Sequence, residues 1–352
     1  MKIDAKALLR ALKIAGKVID KRSTMLILRN VFFAHDTLIS TNLDTWITIN
    51  LSAFDTVLRP AASTCVSHKA LTDALKGATG DLILDDQGIL VVGRATQKLE
   101  TTPPADWPKH EIKWERDLGC FGDDFRTAVK QAETCSSHDE SRSVLNGINV
   151  QGDEATHVTG TDGHRLCTVK VARSWKGKNV TLNQRAVQAI LASNGELRVY
   201  ESSDGKHLRF ASGAMTIDTA LIDGQFPDYA QAIPPNEKDR PRVTGDRRLL
   251  LQTFERFAKF VTMSGTTMVL NGKLSIFADK KGTNEQRSEV LEVETSGETT
   301  CCVNPRYVAE ALKICSAQEV TISFGKPGAT ANQCPLRIDD TSATIIIMPM
   351  RK

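Results

Sequence analysis

Aromatic side chains make up only 5% of the 352 residues, with three tyrosines and four tryptophans. Long apolar runs are missing as well. The longest uncharged one, Thr344–Met350, falls far short of the roughly 20 residues that a membrane helix needs. The opening Met1-Lys2-Ile3-Asp4 has no signal-peptide core, so a cytoplasmic protein is expected. Neither charge sign dominates: 45 Lys and Arg against 42 Asp and Glu give a net charge of +3. Net charge alone therefore argues for no polyanionic partner. None of the eight cysteines forms a C-x-x-C pair, which speaks against a zinc ribbon or a disulfide framework and for reduced thiols. Gly325-Lys326-Pro327-Gly328 lacks the pattern of a phosphate loop.

What is present is repetition. A helical pattern over Ala5–Lys21 is followed by an extended run, Ile27–Phe33, then by Thr37–Asp44 and Trp46–Ile49. The order returns with a helix over Asp124–Thr134, strands at Val144–Val150 and His157–Asp162, and another at Leu166–Val171. It returns again with a helix over Arg248–Phe260 and strands at Thr267–Leu270 and Leu274–Asp279. Each unit has a second half, opened by short helices over His68–Gly77, Asn183–Gly195 and Asn304–Lys313. Asp85–Gly88 and Ser203–Lys206 read as hairpin turns. A period of about 117 residues predicts three tandem α+β domains, at residues 1–117, 118–240 and 241–352. Trp114–Asp117 and Pro234–Pro241 are the expected linkers.

Charge is patterned where it is not abundant. Leu8, Leu12, Ala15 and Ile19 run down one side of the first helix, and Lys6, Arg10, Lys13 and Lys17 keep the same spacing on another. Arg126 and Lys130 take corresponding places in the second unit, and Arg248, Arg256 and Lys259 in the third. The short helices add Lys69, Lys76, Arg185, Arg306 and Lys313. One such stripe is an ordinary solvated face. Recurrence in equivalent helices points to a surface that follows phosphates without reading bases.

Three segments carry a family likeness. Thr161-Asp162-Gly163-His164-Arg165-Leu166, Asp223-Gly224-Gln225-Phe226-Pro227-Asp228-Tyr229 and Ile346-Ile347-Met348-Pro349-Met350-Arg351 occur in order, with Leu145-Asn146-Gly147 ahead of the first and Asn304-x-x-Tyr307 ahead of the last. On a triple-repeat chain of this length, they resemble the bacterial sliding clamp, the beta subunit of DNA polymerase III. The resemblance covers the whole chain and is loosest around residues 80 to 120.

The resemblance implies three clamp domains per chain and two chains head-to-tail in a ring, with β-sheets outside and α-helices inside. It implies a non-catalytic processivity factor of a DNA-directed DNA polymerase, a nucleotidyltransferase holoenzyme, with no cofactor, metal or membrane. The implied partners are encircled double-stranded DNA, the replicative polymerase alpha subunit and the clamp-loader complex. Translesion polymerases and repair proteins with clamp-binding motifs are implied too, and the implied location is the cytoplasmic nucleoid. DNA contacts are implied at Lys6, Arg10, Lys13, Lys17, Arg22, Arg126, Lys130, His138, Arg142, Arg185 and Arg248, and a dimer contact at Phe260. A peptide-binding pocket between the second and third domains is implied at Leu145, Thr161, Gly163, His164, Arg165, Leu166, Pro227, Gln231, Ala232, Asn304, Tyr307, Ile346, Met348, Pro349, Met350 and Arg351.

The chain departs from the family pattern at several places. Gln231 and Ala232 stand where arginine and valine are usual, Lys259 stands where an apolar residue is usual, and the loop Thr262–Thr266 is short. Tyrosines are absent at Ser143 and Val144. These departures suggest a divergent or accessory copy, such as a second or mobile-element clamp. Two other classes are weighed against the clamp. His157, Asp162 and His164 could form a metal or acid–base site in an enzyme. A sequence-specific DNA-binding regulator would need a recognition helix, and none is evident.

Overall fold

The computed structural model describes residues 2–54, 61–152, 154–237, 239–261, 264–325 and 335–350. Six α-helices lie among them: α1 (Ala5–Ala15), α2 (His68–Ala74), α3 (Asp123–Glu133), α4 (Gln184–Ala192), α5 (Arg247–Phe260) and α6 (Pro305–Ile314). Each follows a strand at once or after one residue; the strand's last residue is the helix cap in four cases, and Asn304, one residue past its strand, is the cap in a fifth. Side chains of Asp4, Ser67, Asn183, Asp246 and Asn304 accept from backbone N–H groups one turn on, at 2.9 to 3.3 Å. Such caps satisfy donors that a helix start otherwise leaves open. The strand-then-helix motif recurs about every sixty residues, so the long sequence period is built from two similar halves.

The chain forms two compact units, Met1–Arg126 with Trp175–Ile222, and Thr127–Ser174 with Asp223–Lys352. In the first, a small antiparallel sheet is ordered Lys2–Asp4, Asp81–Leu84, Ile89–Val92, Ala95–Lys98. A nine-stranded sheet begins with Trp114–Phe121, Leu197–Ser202, His207–Ser212 and Met215–Ala220. It continues through Thr45–Asn50, Thr37–Thr41, Asn30–His35, Ala61–Ser67 and Thr101–Thr102. The join is Met215–Ala220 against Thr45–Asn50, with Ile217 opposite Ile47. Helix α1 buries Ala5, Ala7, Leu8, Ala11, Leu12 and Ala15. Asp218 is buried at this join, where it accepts from Arg209 at 2.6 and 2.7 Å and pairs with His110 at 2.7 Å. The His110 ring stacks on Trp46.

In the second unit the strands run Gly147–Gly152, Thr156–Thr161, Arg165–Val171, Ala343–Ile347, Leu336–Asp340, Glu319–Ser323, Arg242–Asp246 and Glu294–Ser296. A separate four-stranded sheet is ordered Gln286–Leu291, Leu274–Asp279, Thr266–Asn271, Glu298–Val303. Gly160 is where the end of α3 meets its sheet. A Cβ there would sit 2.0 Å from the Ala132 carbonyl oxygen.

Several element boundaries differ from those the sequence suggests. The first helix stops at Ala15, although Val18 and Ile19 remain buried and continue the apolar pattern. Gly16 allows this: a Cβ on it would lie 3.0 Å from the His68 ring, whose Nε2 contacts the Leu12 carbonyl at 2.9 Å. Ile27–Phe33 is no single strand. Leu26–Arg29 is a 3-10 turn, held by the Arg29 guanidinium donating to the Ser23 carbonyl, and the strand starts at Asn30. Val144–Asn146 belong to a turn on the Arg142 carbonyl, and that strand starts at Gly147. Trp114–Asp117 is not a linker but the start of strand Trp114–Phe121, with the Arg209 guanidinium 4.4 Å over the Trp114 ring. Pro234–Pro241 does lie outside every helix and strand among its described residues.

Two stability changes follow. Gly160→Ala should unfold or severely destabilise the second unit, seen as a lost cooperative transition in urea, because backbone must move to admit the methyl group. Burial raises the Asp218 carboxyl pKa, but its bonds to Arg209 and His110 outweigh that and hold it below the ordinary 3.8. A lowered carboxyl pKa gives stability that is present above the unfolded-state value and is lost as pH falls through the folded one. Asp218→Asn should therefore cost about 3 kcal/mol near neutral pH. It should also flatten the loss of stability that wild type shows below about pH 4, as measured by urea midpoints across pH.

Candidate functional site

The Thr161–Leu166 turn is built by its own side chains. The Thr161 hydroxyl donates to the Arg165 carbonyl at 2.7 Å and accepts from the Gly163 N–H at 3.1 Å. Asp162 accepts from the His164 and Arg165 N–H groups at 2.8 and 3.0 Å, and from Arg165 Nε at 3.0 Å. Gly163 adopts φ of 87°, a conformation that costs glycine little and other residues more. His164 projects outward from this turn, exposed.

The strand after the turn carries the site together. Leu166 lies opposite Ile346, and Arg165 opposite Ile347. The chain then leaves the sheet, and the Met348 N–H donates to the His164 carbonyl at 2.8 Å. Two residues on, the Met350 N–H donates to the Cys302 carbonyl at 2.7 Å, beside the start of α6. Three sequence-distant segments thus meet at His164, Met348–Met350 and Asn304. Leu166 and Ile346 are buried beneath them, while Met348 is 40% exposed.

Arg165 does not face outward with the rest. It is 9% exposed and ion-paired to Asp162 and Glu310, with its guanidinium 4.5 Å over the Tyr307 ring. Burial opposes its charge, but Cys135, Glu310 and Asp162 outweigh burial and raise its pKa further. Burial and the Asp162 charge likewise raise the Tyr307 hydroxyl. Arg165 therefore bolts the turn to α6. Asn304 spends its side-chain oxygen on capping α6. Beside this bolt lies a cavity of about 610 Å³, whose lining includes His138, Arg142, His164, Arg306, Tyr307 and Glu310.

Other residues implied at the pocket sit on neighbouring stretches. Leu145 ends the turn from Arg142, and the Leu145 carbonyl accepts from Ser137. The Asp223–Tyr229 segment packs on the same region: a Cβ on Gly224 would lie 2.8 Å from Val144, and Gln151 donates to the Tyr229 hydroxyl at 2.6 Å. Pro227, Gln231 and Ala232 are exposed, and Gln231 donates to Asp228 at 3.1 Å. Arg351 lies outside the described residues, as do Thr262 and Met263 of the short loop.

The alternative constellation of His157, Asp162 and His164 has no free chemistry. Both Asp162 oxygens are committed to the turn, and His157 sits mid-strand opposite Lys170, its pKa lowered by burial and by that lysine. Among the described residues no cluster of three metal-ligating side chains occurs.

The basic residues divide by element. Lys6, Arg10 and Lys13 are exposed on one face of α1. Lys17 lies past the helix end, where its carbonyl accepts from Arg185 of α4 at 3.3 Å. Arg22 is exposed in the turn that follows. In the second unit Lys130, His138, Arg142 and Arg248 are exposed. Arg126 is different: its side chain is only 11% exposed and pairs with Asp123. Two other stripe members are also engaged, Arg256 by Glu289 and Lys313 by Glu255 at 2.8 Å. Phe260 is half-buried, with the Arg287 guanidinium 5.5 Å and the Lys280 ammonium 6.0 Å from its ring.

Replacing Arg165 with glutamine strands two carboxylates near the protein interior. The expected cost is about 3 kcal/mol of unfolding free energy, read from urea denaturation. Glu310→Gln should cost less, because Glu310 is the more exposed partner.

Residues 121–228 match the profile of the DNA polymerase III beta subunit, central domain. The chain is 25% identical to the beta sliding clamp of Pseudomonas aeruginosa, over 99% of both chains. It is 28% identical to that of Rickettsia bellii, over 93% of both. Among solved structures, the DNA polymerase III beta subunit of Pseudomonas aeruginosa superposes with a TM-score of 0.83 at 23% identity, covering 100% of each chain. The Bartonella birtlesii sliding clamp bound to griselimycin does so with a TM-score of 0.87 at 20% identity, covering 100% of this chain and 99% of that one. Residues 121–228 thus carry the central-domain profile of that subunit, and over its whole length the chain is similar to bacterial beta sliding clamps and shares their α+β fold.

Proposed function

We propose that the chain is a ring-forming processivity factor that encircles duplex DNA and tethers polymerases and repair proteins through a peptide pocket at His164, Met348–Met350 and Asn304. The observation that carries this reading is the meeting of those three segments by backbone bonds at the end of one sheet. It leaves an apolar, methionine-bearing surface, which suits peptides of varied sequence. The domains are assigned to residues 1–117, 118–240 and 241–352. The role is non-catalytic and cytoplasmic, at the nucleoid; among the described residues no helix is long and apolar enough to cross a membrane.

Head-to-tail dimerisation is supported by two sheet edges. Ala95–Lys98 and Gln286–Leu291 each end a four-stranded sheet and have one neighbouring strand only. Exposed Arg94 and Lys98 mark the first edge, and Glu289 and exposed Glu292 lie on or beside the second. Pairing the first edge of one copy with the second of another would cover both. Phe260→Ala is expected to shift the dimer toward monomer in sedimentation. A wild type that sediments as monomer at micromolar concentration would refute the ring.

Retention on DNA follows from topology. The contacts are to phosphates alone, so affinity for short linear duplex should be weak and fall steeply with salt. Protein placed on nicked circular plasmid by an ATP-driven clamp loader should stay at moderate salt and leave quickly once the plasmid is cut. Lys6→Glu with Lys13→Glu should reduce loading and leave the dimer intact. Equal retention on cut and uncut DNA would sink the clamp reading. For the pocket, Met350→Ala should weaken binding of labelled griselimycin by about 1–2 kcal/mol, read by fluorescence anisotropy.

A further inference from the structure

We propose that Met348 is an oxidation site, whose conversion to the sulfoxide by a hydroperoxide releases bound partners from the pocket. This inference rests on the pocket reading above.

The sulfur atoms of the chain are unequally accessible. Cys65, Cys135, Cys167, Cys301, Cys302 and Cys315 are all buried. Burial pushes the Cys65 thiol up to about 11 and the Cys315 thiol up to about 12. Contact with Cys135, together with burial, raises Cys167 as well. The thiolate is the form that attacks peroxide, so Cys65, Cys167 and Cys315 stay protonated at neutral pH, while Cys135, Cys301 and Cys302 are shielded by burial and Cys120 is half-buried. A thioether has no proton to lose, and exposure governs its oxidation. Among the described methionines Met25 is 50% and Met348 40% exposed, whereas Met215 and Met268 are buried. Met350 is half-buried, and so less accessible than Met25 and Met348.

Met348 is also held in place. Its N–H is pinned to the His164 carbonyl, and its neighbour two residues on is pinned to Cys302. The backbone at Met348 therefore stays at the site once the side chain is modified. In the reaction the peroxide O–O bond breaks and an S–O bond forms. The sulfur loses two electrons, and the second oxygen leaves as water carrying both peroxide protons. The product places a strong dipole where an apolar anchor would dock. Reduction by two thiols breaks the S–O bond, returns the thioether, releases the oxygen as water with both thiol protons and leaves the two thiols joined as a disulfide.

The test uses the full chain treated with graded hydrogen peroxide. Sulfoxide occupancy is mapped by mass spectrometry, and binding of labelled griselimycin is followed by anisotropy. Met25 and Met348 should convert before Met350. Binding should weaken at least tenfold in step with Met348 occupancy, and methionine sulfoxide reductase should restore it. Met25→Leu should leave the loss unchanged, because Met25 lies in the other compact unit. Met348→Leu, whatever its starting affinity, should lose no further binding on treatment with peroxide. Should Met348→Leu bind poorly from the start, recovery of oxidised wild type by the reductase decides instead. Full conversion at Met348 with unchanged binding overturns the proposal, as does Met348 that stays reduced while Met25 converts. Untreated wild type that fails to bind griselimycin overturns the pocket reading and this inference with it.

Discussion

Everything at the candidate site depends on one strand pairing, Arg165–Val171 against Ala343–Ile347. These segments lie about 180 residues apart in the chain, so their closure carries a large entropic cost. Backbone hydrogen bonds and the buried faces of Cys167, Val169, Ile345 and Ile347 offset it. Once the pairing is set, the tail after Ile347 has one path, along His164 to Cys302. A one-residue slip in register would exchange the faces of Ile345 and Ile346 and shift the point where the tail leaves the sheet beside His164. The site is therefore a by-product of register, and the tail needs no fold of its own.

The Arg165 cluster shows why a motif of six residues can be so specific. Asp162 meets three donors within its own turn, two of them backbone. That leaves the guanidinium to reach α6 through Glu310 and Tyr307. A buried ion pair of this kind adds little net stability against an apolar alternative, yet removing one partner is expensive. Its effect is to fix where a turn and a helix sit relative to each other. His164, placed between the two, inherits that precision without forming part of the bolt.

Much of this was legible in the sequence. The six helices follow from their apolar spacing, and their positions hold to within a few residues except at the end of α1; Asp, Ser or Asn also stands just before five of them, and Gly122 before α3. The misreadings share a physical cause. Val18 and Ile19 keep helical spacing but are buried by a turn, and Ile27–Leu28 look extended but are folded back by Arg29 on a carbonyl six residues away. Trp114–Asp117 reads as a polar linker because one face of that strand is exposed and its partner strand is about 80 residues distant. Motif matching brought Arg165 and Asn304 into the pocket wall, but it could not tell a residue that faces a ligand from one that shapes the wall. That distinction lies in long-range partners such as Glu310, which no local pattern marks.

The charge distribution completes the argument. A net charge of +3 spread over 352 residues gives no long-range pull toward DNA. Exposed cations such as Lys6, Arg10, Lys13, Lys130 and Arg248 lie on helices, while several potential members are neutralised by local carboxylates: Arg126 by Asp123, Arg256 by Glu289 and Lys313 by Glu255. A protein that must travel along duplex gains nothing from tight contacts, since each phosphate held firmly is a barrier to the next step. On the proposed clamp reading, enough positive charge to centre the duplex, and too little to bind it, is the balance that encirclement would permit. A surface binder without a ring could not keep its DNA on those terms, and that reading would tie the weak stripes and the open sheet edges to one design.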